Sequence, residues 1–249
     1  MTNWNLKKLL IPPAIMLTVL LSWLSPLFRP YWDALDAKTF SLLNPWVQTN
    51  PFWQHFWAFA STRTMDWIHD GIMFCFFFIG VRKAVLAHRR KKIAECIFAV
   101  LCIALTICLV NGILFPEFIH LPRKSPTMID KTAFRLSSVI DWAGVKDHSR
   151  KSFPGDHATM AVLFVSFIYH LMGWRLGLMA TLYGIFFCLP RLILGAHWLT
   201  DVAIGSAFIG ITMSSLFMGS PLYYYIVSGI EWLIKKPLAR RQGLIDKTD

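Results

Sequence analysis

Apolar runs separated by polar segments set the pattern of the chain, over residues 9–24, 67–81, 93–115, 158–174, 176–189 and 202–218. A helix rises about 1.5 Å per residue, so crossing a hydrocarbon layer of about 30 Å takes ~20 residues. Strand-like alternation is missing, and so is any repeat or low-complexity segment. The pattern predicts an all-α polytopic membrane protein with six transmembrane helices in one bundle, residues 1–249 forming a single membrane-embedded domain. Lys7 and Lys8 precede the first run as they would in a signal peptide, but Trp23, Pro26 and Arg29 follow where small residues would mark cleavage. An uncleaved first span is expected, with Pro12 and Pro13 near its start, where missing N–H groups cost least. Residues 29–66 mix Trp32, Trp46, Trp53 and Trp57 with polar residues, which suits an interfacial segment after the first span. The second run carries His69 and Asp70 near its polar end, and the third is interrupted by Glu95 and Asn111. Polar groups inside a span point to a wet bundle interior.

Composition agrees. Of the 249 residues, 55% are hydrophobic and 16% charged, with a mean hydropathy of +0.50. Soluble domains average about 45 to 50% apolar and about 25% charged, so disorder and an ordinary soluble domain are both disfavoured. The net charge of +11 is read first as cytoplasmic loops or a phosphate-binding surface, because no basic helix or aromatic-interleaved repeat suggests nucleic acid. Arg82, Lys83, Arg89, Arg90, Lys91 and Lys92 crowd one short connection without an acid, the strongest cytoplasmic marker in the chain. Lys235, Lys236, Arg240, Arg241 and Lys247 give the tail the same sign, so both termini are expected on the cytoplasmic side. The loop over 116–157 votes the other way with seven Lys or Arg, diluted by five acids. Cys75, Cys96, Cys102, Cys108 and Cys188 all fall in apolar runs, which disfavours disulfides or a zinc knuckle.

The chemistry gathers in three stretches, residues 122–126, 151–157 and 191–201. Counting spans puts all three on the extracytoplasmic side, from hydropathy and loop charge alone. His197 and Asp201 are four apart, which predicts one helical face where the carboxylate accepts the imidazole N–H and leaves the other nitrogen free to attack. Arg191 brings a planar guanidinium suited to two phosphoryl oxygens. His157 follows Gly155 and Asp156 at a helix entrance where N–H groups favour an anion, although Asp156 also reads as a simple cap. Arg123, Lys124 and Lys151 add cations near the same boundary; solvated surface charges are the blander account. Together these groups suit phosphoryl transfer, which is mostly charge neutralisation and in-line positioning. A transporter, or a metal site built from His157, His197 and Asp201, remains as an alternative.

The tripartite pattern resembles the phosphatidic acid phosphatase type 2 superfamily of membrane lipid phosphatases, whose blocks run K-x6-R-P, P-S-G-H and S-R-x5-H-x3-D. Arg191, His197 and Asp201 match the third block, with Pro190 in place of its serine. Pro154 and His157 match the second, with Gly155 and Asp156 where the family has Ser and Gly, and Pro116 stands where the first block begins with lysine. The stretches over 62–66 and 123–127 are similar to a bacterial inner-membrane branch that passes a phosphate from undecaprenyl pyrophosphate to lipid A. The resemblance implies a phosphohistidine mechanism without metal or other cofactor. His197 would be the nucleophile, Asp201 its orienting carboxylate and His157 the acid. Arg191, Arg123 and Lys124 would hold phosphate with help from Lys151, and the backbone from Gly155 through Asp156 to His157 would add N–H donors. It implies lipid partners, a polyprenyl pyrophosphate donor and a phosphorylated lipid acceptor such as the 1-phosphate of lipid A, at the periplasmic face of the inner membrane. A plain hydrolase of undecaprenyl pyrophosphate, phosphatidylglycerophosphate or lipid A phosphate is the alternative. Asp156, which has no role in the parent family, is expected to assist an acceptor other than water.

Overall fold

In the computed structural model, residues 4–119 and 121–245 are described; Lys247 of the basic tail lies outside them. Every element is helical, and no strand occurs among the described residues. In chain order the helices are α1 (Leu6–Leu24), α2 (Arg29–Leu43), α3 (Pro51–Ala60), α4 (Arg63–Lys83), α5 (Arg89–Thr106), α6 (Pro126–Ile129), α7 (Asp156–Met172), α8 (Trp174–Ile193), α9 (Ala207–Gly219) and α10 (Leu222–Ile245). Two stretches are wound wider, as π-helix: Ile107–Phe118 continues α5, and Asp201–Ser206 leads into α9.

Five helical stretches are long and apolar enough to cross a membrane: Leu6–Leu24, Arg63–Lys83, Leu86–Phe115, Trp174–Ile193 and Asp201–Gly219. The fourth expected span is the apolar helix Asp156–Met172, at 17 residues. Their outward faces carry Leu10, Ile15, Leu21, Phe74, Phe78, Leu101, Leu105, Leu178, Leu182 and Ile185, all exposed. Such a girdle would be a liability in water and is ordinary in lipid. The inward faces of α4, α5, α7 and α8 form the main core around Phe98, Leu163, Phe164, Phe167 and Ile168.

Several helices start earlier than hydropathy suggests, because polar caps lie beyond the apolar run. Thr62 Oγ1 accepts from Met65 N at 3.3 Å, so α4 begins at Arg63 and holds Asp66 in its first turn. Asn5 caps α1 through Lys8 N at 3.1 Å, so Pro12 and Pro13 fall inside the helix rather than in its first turn. Glu95 is no mere interruption: it pairs with Lys92 Nζ at 2.5 Å and accepts from Tyr223 OH at 2.6 Å. Lys92 Nζ also donates to the Leu171 carbonyl at 2.7 Å, and Asn5 N donates to the Gly219 carbonyl at 2.9 Å. These bonds put the starts of α1, α5 and α10 and the ends of α7 and α9 at one end of the bundle, beside the basic turn.

The other end is covered by α2, α3 and the segment from Leu121 to Gly155. Asn44 joins them: its amide donates to the carbonyls of Phe134 (3.1 Å) and Ile193 (3.2 Å), and its oxygen accepts from Phe134 N at 2.8 Å. Val47, Trp57, Leu136, Ile140, Ile193 and Leu194 pack into a second apolar cluster beneath it. The long loop is thus a folded cap.

Candidate active site

At its carboxyl end α8 delivers Arg191 and then breaks. Gly195 takes φ +73, a conformation in which side chains are strained, and a Cβ there would lie 2.7 Å from Phe40 and Thr127. The break lets Ala196 N and His197 N both donate to the Arg191 carbonyl, at 3.0 and 3.2 Å. His197 therefore sits in a turn ahead of the next helix, not on the helical face with Asp201 that the spacing predicts. Asp201 Oδ2 instead accepts from Trp198 N at 2.8 Å, and lies 3.7 Å from His197 Nδ1. The near partner of Nδ1 is the Ser152 carbonyl at 2.7 Å. A carbonyl only accepts, so Nδ1 carries the proton and Nε2 keeps its lone pair; no described residue bonds Nε2.

Ser152 is itself fixed. Its N–H and hydroxyl both donate to the Arg123 carbonyl, at 2.8 and 3.1 Å, while Ser125 N donates to the Ser149 carbonyl at 2.9 Å. The first and second motif stretches thus run paired, and the pairing aims a carbonyl at the third. Gly155 lies beside the ring: a Cβ there would stand 3.5 Å from His197 Cε1, an ordinary contact distance.

Facing His197 across a cavity of about 310 Å³ are His157 and Arg191, with Lys146, His148, Lys151, Asp156 and Asn111 around the walls. His157 is bracketed by carboxylates. Nδ1 lies 2.8 Å from Asp156 Oδ1, and Nε2 lies 3.1 Å from Asp66 Oδ1 and 3.0 Å from Arg191 Nη2. Arg191 is buried, and its Nη1 has no hydrogen-bond partner among the described residues. The amide of His157, expected to bind an anion, is taken by Asp156 Oδ1 at 2.7 Å.

Two expected phosphate ligands lie elsewhere. Arg123 turns away from this cavity into a buried cage, where Nη2 bonds Asp36 Oδ2 at 2.5 Å and Nη1 bonds Asp201 Oδ1 and, at 2.8 Å, Thr200 Oγ1. Its guanidinium stacks between Trp23 and Trp198, 5.3 and 5.5 Å from their ring centroids. Lys124 lines a separate pocket with Arg123, Asp33, Asp36 and Trp198. Asp201 is tied to Arg123 through Oδ1 and to Trp198 N through Oδ2. Among the described residues no group of three or more His, Cys, Asp or Glu could hold a metal. His69 turns from the cavity to Tyr183 OH at 2.6 Å, and Asp70 lines an apolar groove between α4, α5 and α7. Sequence reasoning missed Asp36, Asp66 and Lys146 as parts of the site. The only signal was an acid in a tryptophan-rich stretch, an acid in a short similar segment, and a lysine indistinguishable from its solvated neighbours.

The sequence model of the PAP2 superfamily matches residues 95–225, which hold all three motif blocks. The chain belongs to this superfamily of phosphatases and phosphotransferases. Over 240 residues it is 28% identical to lipid A 1-diphosphate synthase of Escherichia coli (strain K12), a match covering 95% of this chain and 91% of that protein. No solved structure matches.

Proposed function

We propose that this chain moves a phosphoryl group between membrane lipids through a phosphohistidine on His197, without a metal. The donor is a polyprenyl (undecaprenyl) pyrophosphate, and the acceptor is the 1-phosphate of lipid A at the periplasmic face of a bacterial inner membrane. The observation that carries it is the pairing of an imidazole whose Nε2 lone pair is held open by Ser152 with a buried guanidinium whose Nη1 lacks a partner, on one cavity. Nε2 attacks the terminal phosphorus as the bond to the polyprenyl phosphate breaks, and His157 gives that leaving oxygen a proton. An oxygen of the acceptor phosphate then displaces the histidine, restoring Nε2 and forming a diphosphate. Arg191 and Lys151 offset the phosphoryl charge, and Arg123 acts through Asp201 and the turn that carries His197. The name of the 28% identical relative, a lipid A 1-diphosphate synthase, supports the acceptor and product, while the donor rests on the motif resemblance alone.

Rapid quenching into alkaline detergent after mixing with radiolabelled polyprenyl pyrophosphate should trap a base-stable, acid-labile adduct on the wild-type protein and none on His197→Ala. Added lipid A should divert label from free phosphate into lipid diphosphate. Release of phosphate alone at every acceptor concentration would replace the transferase by a hydrolase.

A further inference from the structure

Asp66 belongs to the first turn of α4 and lies outside residues 95–225, so the family match assigns it nothing. Its Oδ1 stands 3.1 Å from His157 Nε2 and 3.5 Å from Arg191 Nη2, and those two nitrogens are 3.0 Å apart. On the other side of the ring, Nδ1 meets Asp156, which is exposed and lines the cavity, whereas Asp66 does not line it. Arg191 lines the cavity as well, but Nε2 is already taken by two partners, so Nδ1, whose partner Asp156 is exposed, is the nitrogen open to substrate. Below the ring lies Phe187, 5.5 Å between centroids, which offers no polar partner.

The partners of Nε2 make opposite demands. A guanidinium only donates, so Arg191 alone selects a bare Nε2. The single proton of a neutral imidazole would then sit on Nδ1, and taking up a second would set imidazolium against guanidinium with only the exposed Asp156, on the far nitrogen, as counter-charge. A carboxylate only accepts, so Asp66 lets Nε2 keep its proton and offsets Arg191. We infer that Asp66 is a positioning residue that makes His157 a reversible acid. It holds the Nε2 proton in place, so the Nδ1 proton is the one given to the leaving oxygen and recovered in the second half-reaction. Asp156 shelters that proton until substrate displaces it. The inference rests on the phosphohistidine reading of the same site.

The test uses the full-length protein in detergent micelles, following phosphate release from a defined polyprenyl pyrophosphate. Asp66→Asn keeps the shape and removes the charge, and kcat should fall about 100-fold. KM should stay within about threefold, because the loss lies in the transition state. Asp66→Glu should recover at least about a tenth of the wild-type kcat, since a restored acceptor returns most of the proton-transfer advantage. An unchanged kcat in Asp66→Asn, or a loss confined to KM, overturns the inference. If Asp66→Asn fails to fold, Asp66→Glu carries the test, and a folded glutamate variant as inactive as His157→Ala overturns it. Wild-type activity that vanishes in His197→Ala keeps the underlying reading intact whichever way Asp66 falls. An inactive wild type removes both.

Discussion

At His197 a backbone carbonyl, Ser152 O at 2.7 Å, does what the spacing of Asp201 suggested a carboxylate would do. The Asp201 carboxylate stays 3.7 Å from Nδ1 and is bound into the architecture as well: with Asp36 it closes on Arg123, and Asp36 also accepts from Thr200 N at 2.8 Å and Thr200 Oγ1 at 2.7 Å. Asp36 is 2% exposed, so removing it leaves the part-buried Arg123 guanidinium and the buried Thr200 amide short of an acceptor. Breaking a buried pair from one side typically costs about 3 to 5 kcal/mol. Asp36→Ala should therefore lower the melting temperature in detergent and reduce turnover with it. Arg123→Met, which leaves the buried Asp36 and Asp201 carboxylates together without their cation, should cost at least as much as Asp36→Ala. If Arg123 instead held phosphate from the cavity, Arg123→Met would raise KM steeply while leaving the melting curve alone. These roles were only half legible in the sequence. Arg191, His157 and His197 announce themselves because ionisable groups at a membrane boundary are costly without a use. Arg123 announces itself equally, yet which of two pockets its guanidinium enters depends on Asp36, 87 residues away.

Among the elements, the helices follow the hydropathy runs, and their ends follow capping chemistry that hydropathy does not register. Thr62 extends α4 backward far enough to place Asp66 beside His157. The carboxyl end of α8 shows the same division between pattern and detail. Apolar content writes the helix through Ile193, but one glycine decides where the chain goes next. A left-handed residue other than glycine costs roughly 1 to 2 kcal/mol, and at Gly195 an added Cβ also collides with Phe40 on α2 and Thr127 on α6. Gly195→Ala should lower the melting temperature and, by shifting the turn that holds His197, reduce the trapped phosphoryl adduct more than it reduces the amount of folded protein. Adduct yield that merely tracks folded protein would show the turn absorbing the change without moving the imidazole. The folded cap over 121–155 was not legible as structure, because its order comes from contacts such as Asn44 to Phe134 rather than from any periodicity of its own.

Across the whole molecule the two ends of the bundle are chemically distinct. One gathers Arg82, Lys83 and Arg89 to Lys92 with the beginnings of α1, α5 and α10; the other gathers the cap and the histidine cavity. Lys and Arg concentrated in a short connection set orientation more strongly than the same charges diluted by acids in a long loop. On that rule the proposed orientation has the basic turn in the cytoplasm and the cavity outside, within reach of the proposed lipid donor and acceptor of the outer leaflet. The cap's seven Lys or Arg argue the other way, so the matter needs an experiment that charge counting cannot replace. Lys131 in the cap and Lys91 in the basic turn are both exposed. A cysteine placed at 131 should react in intact cells with a membrane-impermeant maleimide, and one at 91 should react only after permeabilisation. The unsubstituted chain serves as background, since its five cysteines lie in apolar runs. The opposite labelling would turn the cavity toward the cytoplasm. The phosphohistidine chemistry could survive that, but the outer-leaflet donor and acceptor would not, and a cytoplasmic lipid phosphate would have to take their place.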